Sequence, residues 1–471
     1  MLPDDVLLAI FDFYVNEDSE DGFKKEIEKW QTLVHICRRW RSVVFGSPRR
    51  LNLRLVCTSK TPARDTLDIW PSLPLIIRDG VDPTEDMDDI IAVLRRSDRV
   101  VEIDILNVGN SKLENVLAAM QVPFPELTCV ELWSEDGMVS VVPDSFLGGS
   151  APRLQKLWLK RIPFPGLLKL LLSATHLVDL YLDDIPHSGY ISPEAMVTAL
   201  STLTSLKNLS LEFKSPRSRP DWANRRLPPP TRSVLPVLKT FRFQGVCEYL
   251  EDVVARIDAP RLNELEIILF NQIVFDTPQF IRFISRSPTL ELSEKALIVF
   301  GRDAARINLS SQTSGYGKLD MRIPCIELDW QVSSMEQVCT SCLPPLSPFE
   351  DLYIYEGLNH LISLPVRQDN IENILWLELL QPFTAVKNLY LSEKFASLII
   401  PALQELTGGR TTEVLPALQN IFLEELQPLG TVQAGIQRFA TTRQVTSHHI
   451  AVARWDNSKE DMKNNDRRFY L

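Results

Sequence analysis

The sequence predicts an α/β repeat, a solenoid of parallel strands joined by helices and preceded by a small helical module. Three observations predict this fold. The motif L-x-x-L-x-L recurs through most of the chain, helical patterns fill several gaps between its copies, and residues 1–50 have a purely helical pattern. The chain of 471 residues is too long for one compact core unless that core is built by repetition.

The composition is that of an ordered protein without general affinity for nucleic acid. Hydrophobic residues make up 45% of the chain and charged residues 24%, which is typical of folded domains. The net charge of −11 argues against nucleic-acid binding, which depends on basic surface. The seven cysteines are scattered and odd in number, which favours reduced thiols and an intracellular location, cytoplasmic or nuclear. The sequence has neither a leader-like start nor an apolar run of about 18 residues, so we expect no secretory signal and no membrane contact.

Residues 1–50 are predicted to form a module of helices. The first helix covers residues 2–14, and its apolar positions are Leu2, Val6, Leu7, Ile10, Phe11 and Tyr14. Pro3 suits the first turn of this helix. A mostly acidic segment follows, which we interpret as a solvated loop. The next helix is predicted to bury a stripe formed by Trp30, Leu33, Val34, Cys37, Trp40 and Val44, beside Arg38, Arg39 and Arg41. Gly46 and Pro48 end it.

The order of these features resembles the F-box, a three-helix module of ubiquitin-ligase adaptors. A Leu-Pro start precedes an apolar helix, and a later helix has the pattern V-x-x-C-R-R-W-R followed by S-P. The resemblance implies that the module binds a Skp-type linker subunit and, through it, a cullin ligase. The residues implied in linker binding are Leu2, Pro3, Val6, Leu7, Ile10, Val34, Cys37, Arg38 and Trp40. Leu33 and Val44 also match the pattern of the family.

Residues 51–430 are predicted to form the solenoid. The clear copies of the motif begin their central L-x-L at residues 130, 157, 180, 209, 241, 265, 352, 389 and 421. Helical patterns cover residues 86–96, 165–173, 193–203, 370–383 and 394–406. A single strand and helix of this size cannot bury their apolar sides alone, whereas stacked copies share one core.

This repeat is similar to leucine-rich repeats of the irregular kind. The Asn that usually follows the last Leu is replaced by Lys160-Arg161 in one copy and by Asp183-Asp184 in the next. The whole layout, an F-box followed by degenerate repeats, resembles the expanded fungal families of F-box proteins.

Three further segments depart from the repeat. Residues 214–236 contain six prolines and six Lys or Arg, which predicts a solvated loop or, alternatively, a basic contact for an acidic partner. Residues 305–324 predict two strands around a turn, which we interpret as a hairpin insertion. Residues 431–471 predict a C-terminal cap, which shields the last repeat, and a charged tail.

The sequence offers no set of residues that predicts catalysis, a cofactor or a metal site. Cys339 and Cys342 form one C-x-x-C pair, whereas a structural zinc site needs four ligands. His448 and His449 are adjacent, so their side chains diverge on a strand or a helix. Gly408 follows a predicted helix, which favours a C-cap over a phosphate-binding loop. We therefore predict that the chain is not an enzyme.

The prediction for function is a non-catalytic substrate-recognition adaptor of an SCF-type ubiquitin ligase. The alternative is a repeat scaffold that does not join a ligase. The residue between the two apolar positions of each strand should face the open side of the sheet. These middle residues are Glu131, Trp158, Tyr181, Ser210, Arg242, Glu266, Tyr353, Tyr390 and Phe422. Exposed aromatic groups are enriched in interfaces. The predicted contacts for a protein substrate are therefore Trp158, Tyr181, Tyr353, Tyr390 and Phe422, with Tyr355 beside them. Alternatively, these rings pack against one another and bind nothing.

Overall fold

A computed structural model describes the following residues of the chain: 2–16, 26–59, 67, 70–80, 87–135, 141–218, 220, 231–272, 274–290, 295–310, 318–357, 372–406, 413–424, 430–445 and 450–455. Several predicted features lie wholly or partly outside this set. They are the acidic segment at 17–25, residues 219 and 221–230 of the Pro-rich loop at 214–236, the turn at 311–317, the charged tail at 456–471, Gly408, His448 and His449.

The described residues form helices and strands that alternate along most of the chain. The α-helices are Asp4–Asn16 (α1), Glu26–Ile36 (α2), Arg38–Gly46 (α3), Asp88–Leu94 (α4), Asn110–Ala119 (α5), Leu167–Ser173 (α6), Pro193–Leu200 (α7), Cys247–Val254 (α8), Pro278–Ser285 (α9), Leu328–Gln337 (α10), Asn373–Leu380 (α11), Glu393–Gln404 (α12) and Gly430–Val445 (α13). Short 3₁₀ turns occur at Phe146–Gly149 and His187–Gly189, and a π-helical turn at Val338–Cys342.

The strands are short, as the repeat predicts. They are Leu55–Cys57 (β1), Leu75–Gly80 (β2), Val100–Val108 (β3), Cys129–Ser134 (β4), Lys156–Lys160 (β5), Asp179–Ile185 (β6), Asn208–Phe213 (β7), Ser233–Val234 (β8), Thr240–Gly245 (β9), Ile257–Asp258 (β10), Glu264–Leu269 (β11), Lys295–Phe300 (β12), Ala304–Ser310 (β13), Lys318–Pro324 (β14), Asp351–Glu356 (β15), Asn388–Leu391 (β16), Asn420–Leu423 (β17) and Ala451–Arg454 (β18).

The chain folds as two compact units. The N-terminal unit comprises residues 1–191 and 198–206, and the C-terminal unit comprises residues 192–197 and 207–471. In the N-terminal unit, β1 to β6 follow one another in chain order, and each pair from β1–β2 to β5–β6 is parallel. The predicted domain boundary at residue 50 does not separate these units, because helices α1 to α3 belong to the same unit as β1 to β6.

In the C-terminal unit, parallel pairing is interrupted once. β7, β9, β11 and β14 pair in parallel, as do β12, β15, β16, β17 and β18. Between these two groups, β13 pairs antiparallel with both β14 and β12. Residues 305–324 therefore supply two antiparallel strands of the sheet itself.

The apolar positions of the repeat form the core. Within β5 the exposure alternates, and Leu157 and Leu159 are buried while Trp158 between them is half-buried. Strand registers place Leu157 beside Val130 on one side and beside Leu180 on the other. This ladder of buried side chains is the shared core that the L-x-L pattern predicts, so the α/β repeat is confirmed.

Backbone geometry explains how some repeats leave the sheet without the usual Asn. Asn107, Arg161 and Asp184, each near the end of a strand, adopt positive φ angles of 57°, 61° and 53°. Asn and Asp tolerate this left-handed conformation better than other non-glycine residues do, whereas Arg adopts it less readily. Arg161 is held there by a hydrogen bond from its N–H to the carbonyl oxygen of Asp183 at 2.9 Å and by an ion pair with Asp184 at 3.2 Å.

Candidate interaction surfaces

Helix α1 has two different faces. Leu7, Phe11 and Val15 are buried against α2 and α3. Leu2, Val6, Ile10 and Phe13 are exposed, by 51%, 38%, 47% and 71%, and recur at helical spacing. We call these four residues the helix-1 face. Four exposed apolar side chains, three on this short helix and one just before it, form a patch that is typical of a contact surface.

The structure divides the predicted linker-binding residues into exposed and buried groups. Leu2, Pro3, Val6, Ile10, Cys37 and Arg38 are exposed. Leu7 and Val34 are buried, so they support the module from within. Trp40 is half-buried, and its ring packs against Phe11 with 4.8 Å between centroids.

The second predicted helix is in fact two helices, because the chain bends at Cys37. Cys37 has an extended backbone, with φ −157° and ψ 168°, and its sulfur accepts a hydrogen bond from the backbone N–H of Trp40 at 3.4 Å. The sulfur of Cys37 therefore acts as the N-cap of α3. The prediction that Cys37 belongs to the buried stripe is wrong, because this break turns its side chain to the surface.

Two of the three neighbouring arginines brace the module. The guanidinium of Arg39 donates to the carboxylate of Asp4, at 3.1 and 2.7 Å, and to the carbonyl oxygen of Leu2. Arg41 donates through Nε to the carbonyl oxygen of Val34 at 3.0 Å, in the last turn of α2. Arg41 thereby satisfies a carbonyl group at the C-terminal end of α2, and Arg39 holds the chain at the start of α1, where the helix-1 face begins.

The open face of the N-terminal unit has an aromatic pair next to a row of charges. The strand registers place Arg78, Asp104, Glu131, Trp158 and Tyr181 side by side across β2 to β6. The rings of Trp158 and Tyr181 meet edge to face, with 6.3 Å between centroids. The indole N–H of Trp158 donates to the carboxylate of Asp183 at 2.7 Å, which fixes the ring. Both predicted aromatic residues are therefore half-buried neighbours.

Two lysines complete this face. Lys156 pairs with the carboxylate of Glu131 at 2.6 Å, and Lys160 lies 4.4 Å from the ring centroid of Trp133. The second distance is that of a cation–π contact. The sequence motif identified Trp158 and Tyr181 but not the two lysines. Lys156 and Lys160 occupy the variable positions on either side of the L-x-L leucines, which the motif does not specify.

Asp104 is the unusual group in the row. Burial, and after it the neighbouring charge of Glu131, raises the pKa of its carboxyl to about 6, although Arg78 and Lys156 act in the opposite direction. One carboxyl oxygen, Oδ1, is buried without a hydrogen-bond partner in the described part of the chain. The folded protein therefore holds a proton on Asp104 at a pH where the unfolded chain has lost it.

We expect Asp104→Asn to stabilise the protein above pH 6. The folded-state pKa lies above the unfolded value, so the free energy of unfolding falls as pH rises from about 4 to 6. Asn does not ionise, so the variant keeps this stability. Its free energy of unfolding at pH 7.5 should exceed that of the wild type by on the order of 1 kcal/mol, a value reduced for solvent screening of a partly exposed carboxyl. Urea unfolding at pH 7.5 and pH 4 measures the difference. An equal change in the free energy of unfolding at both pH values would contradict the raised pKa of Asp104.

The open face of the C-terminal unit has a longer aromatic array. Tyr353, Tyr390 and Phe422 lie in register on β15, β16 and β17. Their rings stack nearly parallel, with centroids 4.1 and 4.5 Å apart and interplanar angles of 8° and 9°. We call these three residues the aromatic row. All three are half-buried, whereas Tyr355, which was expected to join them, is buried.

The middle of the same face is a polar network and not an open binding surface. Ser210 and Glu266, two of the predicted middle residues, are buried. Arg242 bonds the carboxylate of Glu266 at 2.9 Å. Asp320 accepts from the side chains of Arg306 and Asn308. These charges are already matched, so this stretch offers a partner less than the aromatic row does.

The C-x-x-C pair has the properties of core cysteines. All seven cysteines of the chain are free. Cys339 and Cys342 are both buried in the π-helical turn, and burial raises the pKa of Cys342 to about 12 and that of Cys339 as well. A thiol with so high a pKa forms little of the reactive thiolate at neutral pH. Within the described ranges, no three His, Cys, Asp or Glu side chains are grouped as metal ligands would be.

Among the described residues, no helix is both long and apolar enough to cross a bilayer.

Comparisons with known proteins add little to this picture. Neither a scan against models of protein families nor a search of curated proteins gives a match. Among solved structures, the chain is similar to the leucine-rich repeat-containing protein LegL7 from Legionella pneumophila, with 13% sequence identity and a TM-score of 0.26. That match covers 83% of this chain and 98% of the other. A TM-score this low supports no argument, so the assignment of an α/β repeat rests on the strand registers and helices of the chain itself.

Proposed function

We propose that the chain is a substrate-recognition adaptor of an SCF-type ubiquitin ligase. In this proposal the helical module binds a Skp-type linker subunit, the open faces of the repeat bind a protein substrate, and other subunits perform catalysis. The observation that carries the proposal is the helix-1 face, because its exposed apolar side chains fall on the Leu-Pro helix that resembles the start of an F-box.

Two features support a binding role for the module. Leu7 and Phe11 are buried, so the helix does not need Leu2, Val6 or Ile10 for its own packing. Arg39 holds the N-terminal residues in place through Asp4 and Leu2. A rigid apolar face loses little conformational entropy on binding, which favours affinity.

The direct test is binding of the full chain to a purified Skp-type linker subunit, measured by isothermal titration calorimetry and by co-elution from a sizing column. A stoichiometric complex that also retains a cullin would support the adaptor. A folded chain that binds no linker would instead favour the second candidate, an α/β repeat scaffold that binds proteins outside a ligase. That candidate is favoured by the aromatic surfaces, which do not depend on the module.

For substrate binding, we expect Trp158→Ala and Tyr390→Ala together to abolish substrate capture while linker binding persists. Each ring is half-buried on an open face, and truncating an aromatic contact in an interface costs about 2 kcal/mol or more. Proteins cross-linked to the full chain in cells can be compared between the wild type and the double variant by mass spectrometry. An unchanged set of captured proteins from a folded double variant would move the site elsewhere, first to residues 214–236.

A further inference from the structure

The aromatic row already has an occupant from the same chain. Trp455 follows the last strand, β18, and its backbone N–H donates to the carbonyl oxygen of Leu423 at 2.7 Å. Its ring lies 5.8 Å from the ring centroid of Tyr353 and 5.8 Å from that of Tyr390. The interplanar angles are 63° and 70°, so the indole meets the edges of the two stacked tyrosines.

This geometry selects for an aromatic group. Rings stacked in parallel turn their edges, which carry partial positive charge, toward the open face of the sheet. The negative face of another ring is attracted to such edges, and the steep angles between the indole of Trp455 and the two tyrosine rings are compatible with this arrangement. An aliphatic side chain would bury a similar area but would lack this electrostatic attraction.

A polar row lies beside the aromatic row. Two residues earlier on the same three strands, Asn388 donates to Asp351 at 2.7 Å and Asn420 donates to Asn388 at 2.7 Å. The strand registers align these three residues just as they align the rings. Since side chains two apart on a strand share a face, the polar row and the aromatic row border one surface. Such a surface can hold an aromatic side chain and hydrogen-bond the peptide next to it.

The segment that holds Trp455 is attached weakly. Strand β18 has four residues and pairs with β17 at the edge of the described sheet. Of residues 450–455, Ile450 alone is buried, whereas Ala451, Val452 and Arg454 are exposed, so little core is lost when this strand detaches. Short edge elements with few buried side chains are the ones that open most readily in native proteins.

We propose that the aromatic row is a binding site for an aromatic side chain of a partner polypeptide, and that Trp455 occupies this site until the partner displaces it. The statement that this partner is a ligase substrate rests on the proposed function. The site itself, and its occupation by Trp455, do not depend on the linker subunit. An internal occupant lowers the apparent affinity of a partner by the fraction of time that the site is open.

The test uses the full chain and N-acetyl-tryptophanamide as the probe, with binding measured by saturation-transfer NMR. We expect Trp455→Ala to bind the probe about tenfold more tightly than the wild type, because the site is then open all the time. Adding Tyr390→Ala should remove this binding, whereas adding Tyr390→Phe should keep it, since Phe retains the ring. N-acetyl-leucinamide serves as the ligand control, and Trp330→Ala serves as the protein control because Trp330 is exposed elsewhere, on α10.

Equal probe affinity in the wild type and in Trp455→Ala would overturn the proposal, as would equal binding of the leucine amide. If Trp455→Ala fails to fold, the proposal is tested on the wild type by hydrogen exchange. Saturating probe should then increase amide hydrogen exchange in residues 451–454, and unchanged exchange would refute displacement. If the chain passes these tests but binds no linker subunit, the aromatic site is supported and the ligase proposal is refuted. If it fails these tests but binds the linker subunit, the ligase proposal is supported and the aromatic site is refuted.

Discussion

Replacing Pro3 and Ile10 together with Ala is expected to abolish co-purification of the Skp-type linker subunit. Ile10 is 47% exposed and Pro3 is exposed, so neither contributes to the core of the module. Apolar contacts in an interface contribute ~1–3 kcal/mol each, and losing two of them weakens binding at least about 30-fold. Surface substitutions of this kind change the free energy of unfolding by only ~0.5 kcal/mol.

The measurement is titration calorimetry of linker with each variant, next to a thermal unfolding curve. Ile326→Ala is the matched control, because Ile326 is 73% exposed but belongs to the C-terminal unit. Leu7→Ala provides a contrast, since Leu7 is buried and its loss should lower stability first. If the double variant binds the linker as tightly as the wild type, the helix-1 face is not the contact.

Ending the chain after Gly430 is expected to destabilise the C-terminal unit by at least about 3 kcal/mol. This deletion removes most of α13 and all of β18. Ile436 and Phe439 of α13 are buried, and Arg443 is fully buried with hydrogen bonds to the carbonyl oxygens of Leu415 and Val414 at 2.9 and 2.6 Å. Without them, the carbonyl groups lose their partners and β17 becomes an exposed edge.

Limited proteolysis and binding of a hydrophobic dye measure this effect. The shortened chain should be cleaved faster and bind more dye than the full chain. A chain that ends after Trp455 is the matched control, because it retains α13, β18 and Arg443. If the chain ending after Gly430 resists protease as well as the full chain does, residues 431–471 are not a cap.

Much of the repeat could be predicted from periodicity. The helical patterns at residues 165–173 and 394–406 correspond to α6, Leu167–Ser173, and α12, Glu393–Gln404. The L-x-L positions also identified the residues of the aromatic row, because alternation along a strand depends only on local backbone geometry. Helices α5, α8, α9 and α10 were not predicted, although each is longer than α6, which was; length alone therefore does not explain which helices the sequence pattern reveals.

The apolar periodicity of the sequence alone therefore determined an α/β repeat, a helical start and which side chains face the core. Tertiary structure decided the rest. The break at Cys37, the antiparallel β13 and the position of Trp455 over Tyr353 and Tyr390 each depend on contacts between residues far apart in the chain or on a single local conformation. Residue spacing reports which side chains share a face, but it does not report which distant segment lies across that face.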